Sequence, residues 1–540
     1  MARSYRFKTA FGLVMTMVCS LVWATGNDAR PNILLIVADD LGYADLGVFG
    51  SDIRTPNIDA LATQGVLFTQ FHTAPMCSPT RAMLLSGNNN HVAGMGRQHP
   101  AGLMKEHMPG YEGHLSDRVA ALPAVLKAAG YHTYIAGKWH LGTEKQNSPR
   151  AAGFERSFGV VEGAATHFDG RGFENAPSIY REDGEQVAYP DGEYSTELYT
   201  KRLMEYIEAN RGDGRPFFAF AAYTSPHWPL QVPEQELNRY AGVYDEGYDA
   251  LRERRFETLK GANIIPATST LPPRWEKITP WGDLDSKQQK REARKMELYA
   301  AMVENLDDHV GHLIDFLKAR DLYDNTLIVF MSDNGPAPSD FYHEEPYTNY
   351  VQAHYDNSYE KMGGPDSFVS YGPAWAEAGS APFKRHKGFT SEGGITAPMI
   401  MAGRGVSRRN EINRNYLTVM DLAPTFIEIA NAQYPRDGQV QAMRGKSMAA
   451  FLQGSTDAVH GEDHLTTQFH RGRAYLRLGD WKITHLEHPF DESGFALYNL
   501  QADPGETTDL TDTHPEKREE LLSLWREQRK ELGVVLPQDL

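Results

Sequence analysis

Cysteine is nearly absent from this sequence: its 540 residues include two, Cys19 and Cys77. Cys19 lies in an amino-terminal segment with three basic residues, an apolar run and a small-residue cleavage pattern, Val22-Trp23-Ala24. These features predict a signal peptide at residues 1–24 and an exported protein, periplasmic or secreted. The alternative, an uncleaved membrane anchor, is disfavoured because the apolar run is short for a membrane span.

Removal of the signal peptide would leave Cys77 as the only cysteine of the mature chain. An intramolecular disulfide is then excluded, although the exported compartment would permit one. The thiol is therefore either buried and inert or chemically employed.

Basic residues are outnumbered as well, with 54 Lys and Arg against 71 Asp and Glu and a net charge of -17. An acidic surface argues against a nucleic-acid partner. It does not exclude a small anionic substrate, because a local cluster of Arg, Lys and metal can oppose the overall charge. The sequence contains no internal repeat, no low-complexity tract and no later run long enough to span a membrane, so we expect no stable membrane insertion of the mature chain.

Four short apolar runs alternate with helical patterns, and polar residues follow each run. The run 32–38 is followed by Asp39 and Asp40, and the run 131–136 by Lys138 and His140. The run 217–222 is followed by His227, and the run 327–331 by Asp333 and Asn334. Continuous apolar runs are typical of strands buried on both faces of a parallel sheet. The fold class predicted is α/β, with a large, mostly parallel sheet sandwiched by helices. Ligands bind at the carboxyl ends of such strands, so the polar residues are expected to converge on one edge.

The pattern changes after about residue 430. Shorter strand candidates occur at 473–478, 481–484 and 496–500, and a charged helix is predicted at 515–532. We therefore expect a large α/β domain at 31–430 and a small C-terminal α+β domain at 431–540.

Asp39, Asp40, Asp333 and Asn334 form two adjacent pairs at two strand ends. Four oxygen ligands without a nearby cysteine or paired histidine favour a hard divalent cation, calcium or magnesium, over zinc. Either pair alone is better explained as ordinary turn residues, but the two together favour a metal site.

The surroundings of Cys77, Pro75-Met-Cys-Ser-Pro-Thr-Arg81, allow several interpretations. A tyrosine-phosphatase loop would need arginine six positions after the cysteine, where Met83 stands. A papain-like thiol has no use for cation-binding carboxylates. An isolated cysteine is otherwise most often a small buried hydrophobic residue.

The residues of several motifs resemble the signatures of the sulfatase family. Cys77 to Arg81 with Leu84-Leu85-Ser86-Gly87 is similar to its first signature, and the segment 130–140, ending in Gly-Lys-Trp-His, is similar to its second. Asp39-Asp40, Asp333-Asn334-Gly335 and Lys387-Gly388 also match the family pattern. The resemblance extends from Pro31 to about residue 510 and is closest to bacterial arylsulfatases of the alkaline-phosphatase-like superfamily. Ser86 departs from the usual threonine, which puts little in doubt.

This resemblance implies a post-translational modification that the encoded sequence does not show. Cys77 would be oxidised to formylglycine during export by a formylglycine-generating maturation enzyme. The implied metal is calcium in preference to magnesium, and its implied ligands are Asp39, Asp40, residue 77, Asp333 and Asn334. The domain at 31–430 would then be the catalytic domain of a sulfuric ester hydrolase with an alkaline-phosphatase-like fold.

The implied reaction cleaves a sulfate monoester through a formylglycine hydrate and a covalent sulfo-enzyme intermediate. Its implied catalytic residues are Cys77 as nucleophile precursor, Asp333 as acceptor of the nucleophile's proton, His227 and Lys387 at the leaving group and sulfate oxygens, His140 as the base that releases sulfate, and Arg81 and Lys138 as charge-neutralising groups. The substrate would be an aryl sulfate or a sulfated carbohydrate. We also expect aromatic residues of the long loops to line the entrance unless most of them merely pack those loops; they include Phe168, Tyr244, Trp281, Tyr342, Tyr355 and Trp375.

Two other functions remain open at this point. One is a phosphonate or phosphate ester hydrolase of the same superfamily, since similar cages fit both anions. The other is a non-catalytic protein that binds sulfated glycans with an unmodified Cys77.

Overall fold

The computed structural model describes residues 1, 30–98, 108–172, 177–343, 347–436, 438 and 440–536. The predicted signal peptide, apart from Met1, lies outside the described residues. The strands are β1 (Asn32–Ala38), β2 (Gly65–His72), β3 (His132–Gly137), β4 (Arg156–Val160), β5 (Tyr180–Glu182), β6 (Glu185–Val187), β7 (Phe217–Ala222), β8 (Thr326–Ser332), β9 (Thr396–Gly403), β10 (Glu411–Asn413), β11 (Leu417–Thr418), β12 (Leu465–His470), β13 (Arg473–Leu478), β14 (Trp481–His485) and β15 (Ala496–Asn499). The helices are α1 (Pro56–Gln64), α2 (Cys77–Ser86), α3 (Leu122–Ala128), α4 (Ser195–Ala209), α5 (Gly247–Gly261), α6 (Ser286–Lys318), α7 (Tyr347–His354), α8 (Gly372–Gly379), α9 (Glu392–Ile395), α10 (Leu422–Ile429), α11 (Ala449–Leu452) and α12 (Pro515–Leu532).

A large mixed sheet forms the centre of the molecule. Its strand order is β10-β2-β9-β8-β1-β7-β3-β4-β5-β6, with β11 also paired to β2. The strands β8, β1, β7, β3 and β4 are parallel neighbours, whereas β9 runs antiparallel between β8 and β2. The predicted α/β class with a mostly parallel central sheet is confirmed.

The apolar run of β1 is continuous because both faces of the sheet are covered. Leu34 and Ile36 pack on the face that also holds α4 and α6. Ile33 and Leu35 point to the other face, which holds α2, α3 and α10. Alternate side chains of a strand enter opposite faces, so a strand covered on both sides has no polar positions.

Helix α6 begins at Ser286, ten residues before the apolar stripe that starts at Met296. Asp285 caps the helix by accepting hydrogen bonds from the backbone N–H groups of Lys287 and Gln288. The first turns are polar and largely exposed. Hydrophobic periodicity therefore could not show them, although the capping box could have.

A separate four-stranded antiparallel sheet, β12-β13-β14-β15, lies near the C-terminus and packs on α12. Trp525 of α12 is fully buried in its core. The predicted strands at 473–478, 481–484 and 496–500 are present as β13, β14 and β15, and β12 was not predicted. Phe451 and Leu452 of α11 still pack in a core of the large sheet, and the domain boundary at 430/431 stays a prediction. Within the described ranges, no helix combines the length and apolar character needed to cross a bilayer.

Candidate active site

Polar side chains gather where four neighbouring parallel strands end. The loop that carries His227 follows β7. Asp39 and Asp40 follow β1, Lys138 follows β3, and Asp333 and Asn334 follow β8. All five are at most 1% exposed. Because these strands are adjacent and parallel, their carboxyl ends place residues from distant parts of the chain at one edge, as expected.

Helix α2 brings Cys77 and Arg81 to the same edge. Cys77 is the first residue of α2, and Arg81 lies four positions later, on the same helix face. The Arg81 guanidinium donates to Asp333 Oδ2 from Nε (3.1 Å) and Nη2 (2.9 Å), and to the Lys138 carbonyl from Nη1 (2.8 Å). Cys77 Sγ lies 3.8 Å from Asp40 Oδ1. Arg81 therefore ties α2 to both the β8 and the β3 ends.

Lys387 reaches the site from the loop between α8 and α9. Its Nζ donates to Asp40 Oδ1 at 2.5 Å and lies 3.1 Å from Cys77 Sγ. The Gly388 N–H donates to the carbonyl of Pro75 at 2.8 Å, which fastens the loop to the segment before Cys77. Gly388 has a φ of +88°, a left-handed conformation that favours glycine.

The backbone is strained at two site residues. Asp40 and His140 have φ values of 67° and 60°, unusual for residues other than glycine. Gly137, near Lys138 and His140, is a glycine because β3 and β7 approach closely there. A Cβ on Gly137 would lie 1.8 Å from the carbonyl oxygen of Ala222. Only glycine therefore allows the end of β3 to lie against β7 and deliver Lys138. Backbone strain of this kind clusters at functional sites.

The buried charges are balanced locally. Lys138 Nζ contacts both carboxylate oxygens of Asp39, at 2.9 and 2.7 Å, while Lys387 pairs with Asp40 and Arg81 with Asp333. Buried carboxylates and ammonium groups are tolerated only when paired in this way.

Burial affects the pKa values of two carboxylates and the encoded thiol in the site. Burial and the nearby Asp39 raise the pKa of Asp333 despite Arg81. Burial alone would raise the pKa of Asp40, but Lys387 and His227 outweigh it and lower that pKa. Burial also raises the pKa of the encoded Cys77 thiol above its ordinary value, so an unmodified thiol is held protonated.

Both site histidines are held neutral. Burial, followed by the charges of Lys138 and Arg81, lowers the pKa of His140 well below its usual value, and burial does the same for His227 despite Asp40. His227 Nδ1 donates to the carbonyl of Trp228 at 2.7 Å, which leaves Nε2 3.3 Å from Asp40 Oδ2. His140 Nδ1 has no hydrogen-bond partner in the described part of the chain.

Two buried oxygens of the site are left without hydrogen bonds. Asn334 donates from Nδ2 to Asp40 Oδ1 at 2.6 Å. Its own Oδ1 and the Oδ2 of Asp40 accept no hydrogen bond from any residue that the structure describes. Potential ligand atoms of Asp39, Asp40, Cys77 and His227 lie within 4.8 Å of one another. Unsatisfied buried oxygens beside carboxylates fit a hard divalent cation.

The group brought together differs from the predicted ligand set in two respects. His227, predicted to act at the leaving group, joins it. Asp333 lies beside it, with Oδ1 accepting the Asp40 N–H at 3.3 Å and Oδ2 occupied by Arg81. Its role as a ligand, like that of Asn334, stays a prediction. The sequence feature that pointed to His227 was its position after a strand end. That position alone does not distinguish a metal ligand from a general acid.

The aromatic rings beside His227 are those of Trp228 and Phe341, which the sequence analysis did not single out, and the predicted Tyr355 packs in the same cluster through Phe368. Trp228 contacts His227 with ring centroids 4.3 Å apart and Phe341 at 4.9 Å. In contrast, Tyr244 and Trp375 are buried in contact with each other, so the expectation that they line the entrance is wrong. Trp281 contacts Trp375 and packs at the edge of the same core.

Comparison with known proteins adds independent information. The family model described as Sulfatase matches residues 31–432. An uncharacterized sulfatase of Schizosaccharomyces pombe is 38% identical over 535 residues, covering 94% of this chain and 95% of the relative. An arylsulfatase of Klebsiella aerogenes is 39% identical over 433 residues, covering 77% and 91%. The crystal structure of Ps i-CgsB in complex with k-i-k-neocarrahexaose superposes with a TM-score of 0.66 at 24% identity, covers 93% of both chains and is similar in fold.

Proposed function

Because this chain belongs to the sulfatase family, we propose that it hydrolyses sulfate monoesters to an alcohol or phenol and sulfate through an aldehyde hydrate at position 77. The observation that carries the proposal is the position of Cys77 at the start of α2, with its Sγ 3.1 Å from Lys387 Nζ and 3.8 Å from Asp40 Oδ1. A side chain at this position faces the carboxylates and cations that sulfate-ester cleavage requires.

The encoded thiol is the precursor of the nucleophile in this proposal. The maturation enzyme oxidises the Cys77 CH2–SH group to an aldehyde during export, and addition of water gives two hydroxyl groups. Their oxygens would take the place now held by Sγ. The raised pKa of the buried thiol supports this assignment, because an unmodified Cys77 would be a protonated and weak nucleophile.

A divalent cation would be held by Asp39, Asp40, Asp333, Asn334 and the modified residue 77, and we favour calcium over magnesium. The unpartnered oxygens of Asn334 and Asp40 support this ligand set. Calcium suits it because calcium accepts many carboxylate and carbonyl oxygens in flexible geometry. When bound, the cation supplies positive charge that lowers a hydroxyl pKa and offsets the charge of a sulfate ester.

In the first step a hydroxyl oxygen at position 77 forms a bond to sulfur as the bond from sulfur to the leaving oxygen breaks. Asp333 accepts the hydroxyl proton, a role supported by the raised pKa of its carboxyl group. Lys387 stays charged, because Asp40 and the Cys77 position raise its pKa although burial opposes them, and it holds the sulfate oxygens. The resting His227 is neutral with its proton on Nδ1, so for this step it takes up a second proton on Nε2, which the charge of Asp40 favours although burial opposes it, and donates that proton to the departing alcohol or phenol.

In the second step the remaining hydroxyl of the sulfated hemiacetal loses its proton to His140. Neutral His140 is suited to accept a proton, and its Nδ1 is available. The carbonyl double bond re-forms, the bond from carbon to the sulfate oxygen breaks, and sulfate leaves. Arg81 and Lys138 offset the negative charge, and water regenerates the hydrate.

The physiological substrate proposed is a small aryl or carbohydrate sulfate met after export. An arylsulfatase relative supports the first class. The structural neighbour with a bound neocarrahexaose supports the second.

The test is to express the chain with and without a formylglycine-generating enzyme. We expect the peptide containing residue 77 to lose about 18 Da on maturation, with sulfate release from 4-nitrophenyl sulfate appearing only in the matured protein. Full activity with an unaltered thiol would overturn the mechanism. Faster turnover of a matched phosphonate ester than of the sulfate ester would instead favour the rival hydrolase.

A further inference from the structure

A group of basic side chains without acidic partners lies beside the active site. It consists of Arg97, in the loop after α2, His470, the last residue of β12, and Arg471, in the turn between β12 and β13. We refer to these three residues as the rim cluster. The chain carries a net charge of -17, so such a concentration of positive charge is a local feature.

Three buried nitrogens of the rim cluster have no hydrogen-bond partner among the residues that the structure describes. His470 is 2% exposed and neither ring nitrogen is hydrogen-bonded, and Arg97 Nε is also without a partner. Within the described ranges, no carboxylate pairs with Arg97 or Arg471, whereas Arg54 pairs with Glu304. Buried polar groups are nearly always satisfied, so the rim cluster is a set of donors without an acceptor.

The electrostatics of the rim cluster agree with this description. Burial and then the charge of Arg97 lower the pKa of Arg471. Burial, followed by Arg471 and other basic neighbours, lowers the pKa of His470 well below its usual value. An anion among these groups would remove their mutual repulsion.

The β12–β13 hairpin, which carries His470 and Arg471, contacts two elements of the active site. In the same hairpin, Arg473 donates Nη1 to the Gly388 carbonyl at 2.6 Å, next to Lys387. Gln468 Nε2 lies 3.1 Å from Met83 Sδ on α2, the helix that begins with Cys77. The hairpin therefore lies between the Lys387 loop and α2.

Arg471 also comes close to the His227 side of the site. Its charge interacts with Tyr347 at the start of α7, and the Tyr347 ring contacts Phe341 at 5.9 Å. Phe341 contacts Trp228, the neighbour of His227, at 4.9 Å. Arg471 is thus linked to the His227 side of the site through Tyr347, Phe341 and Trp228.

We infer that the rim cluster binds a second anionic group of the substrate, a sulfate or a carboxylate, while the scissile sulfate occupies the site at residue 77. Arginine matches both anions because its planar fork of donors binds their oxygens in pairs. This inference rests on the proposed function and deepens it: the substrate class becomes a sulfated saccharide with an additional anionic group.

The first test compares Arg97→Gln and Arg471→Gln with the matched control Arg211→Gln, which removes an exposed charge after α4. Substrates are 4-nitrophenyl sulfate, a disulfated disaccharide and a monosulfated disaccharide with a uronate carboxylate. Each rim variant should lower kcat/KM for a saccharide with two anionic groups by about tenfold, mainly through KM. Turnover of 4-nitrophenyl sulfate and all activities of the control should be unchanged.

An equal loss on 4-nitrophenyl sulfate, or no loss on either disaccharide, would overturn the inference. A loss confined to one disaccharide supports the subsite and identifies the anion that it binds.

Binding separates this inference from the proposed function. Calorimetric titration of the same disaccharides into Cys77→Ala protein requires no turnover, and Arg471→Gln in that background should weaken binding by about tenfold. If the wild-type protein released no sulfate from any ester, the proposed function would fail while this binding difference still supported the anion subsite. Unchanged binding would overturn the subsite whatever the activity.

Discussion

The active-site cluster and a second buried charged cluster differ in how completely their polar atoms are paired. The second, which we call the junction cluster, lies between the large and small sheets and consists of His72, Glu392, Arg477, Lys482 and Glu506. Lys482 Nζ lies 2.6 Å from Glu392 Oε1 and 2.9 Å from Glu506 Oε1. His72 Nε2 lies 2.7 Å from Glu392 Oε2, which also accepts from Thr396.

Both oxygens of Glu392 therefore have donors, whereas Asn334 Oδ1 and Asp40 Oδ2 in the active-site cluster have none. Burial alone would raise the pKa of Glu392, but Lys482 and His72 hold it well below its usual value. Glu506 accepts a hydrogen bond at Oε2 from the Glu392 N–H, and its Oε1 makes no hydrogen bond but is ion-paired with Lys482. A buried network in which each carboxylate oxygen faces a donor or a cation fixes the arrangement of two elements. A buried network that leaves carboxylate or amide oxygens without donors can bind a ligand through those oxygens. This difference in pairing indicates that the junction cluster has a structural role and that the active-site cluster binds a ligand.

Removal of the nucleophile tests the role of the active-site cluster most directly. Cys77→Ala should lower sulfate release by at least ~10⁴-fold, because no hydroxyl remains at position 77 to attack sulfur. Asp333→Ala should cost roughly 10²–10³-fold through loss of one charged group. Initial rates with 4-nitrophenyl sulfate and unfolding midpoints in urea measure the two effects. Cys77→Ala should keep its midpoint, and retained activity in either variant would contradict the assigned roles.

The junction cluster should show the opposite behaviour. Lys482→Met leaves Glu392 and Glu506 buried without their cation, so the free energy of unfolding should fall by about 3–5 kcal/mol. The matched control Lys145→Met breaks the exposed pair with Glu185 and should cost at most about 1 kcal/mol. Urea unfolding monitored by tryptophan fluorescence measures both. Equal losses in the two variants would show that the junction cluster does not join the sheets.

The smallest expected effect is metal-dependent stabilisation of the active-site cluster. After chelation, calcium at a hundredfold excess over its Kd should stabilise the native protein by about 2.7 kcal/mol, and magnesium at the same concentration by less. Asp40→Asn should remove the rise in thermal midpoint, because it removes a carboxylate ligand. Glu506→Gln in the junction cluster should retain the rise, and an identical response in all three proteins would argue against the ligand set.

Local sequence patterns predicted those parts of the fold in which short-range signals are unambiguous. The strands β1 and β7 have the predicted bounds because uninterrupted apolar runs end at polar residues. β9 was not predicted, and its Pro398 is a residue that normally argues against an inner strand. Asp39, Asp40, Lys138, Asp333 and Asn334 follow strand ends as the sequence indicated, and their roles stay predictions. His227 could not be placed in the ligand group without coordinates.

The sequence by itself determined which side chains end the buried strands, and that a lone Cys77 lies between prolines with Arg81 one turn later. Those features depend on periodicity and propensity, which act over a few residues. The tertiary structure alone decided that Lys387 reaches Cys77 across 310 positions, that Arg97 approaches Arg471, and that Asn334 Oδ1 has no donor. Contacts of this kind depend on how sheets and loops pack, because burial decides which distant polar groups must meet and which stay open for a ligand.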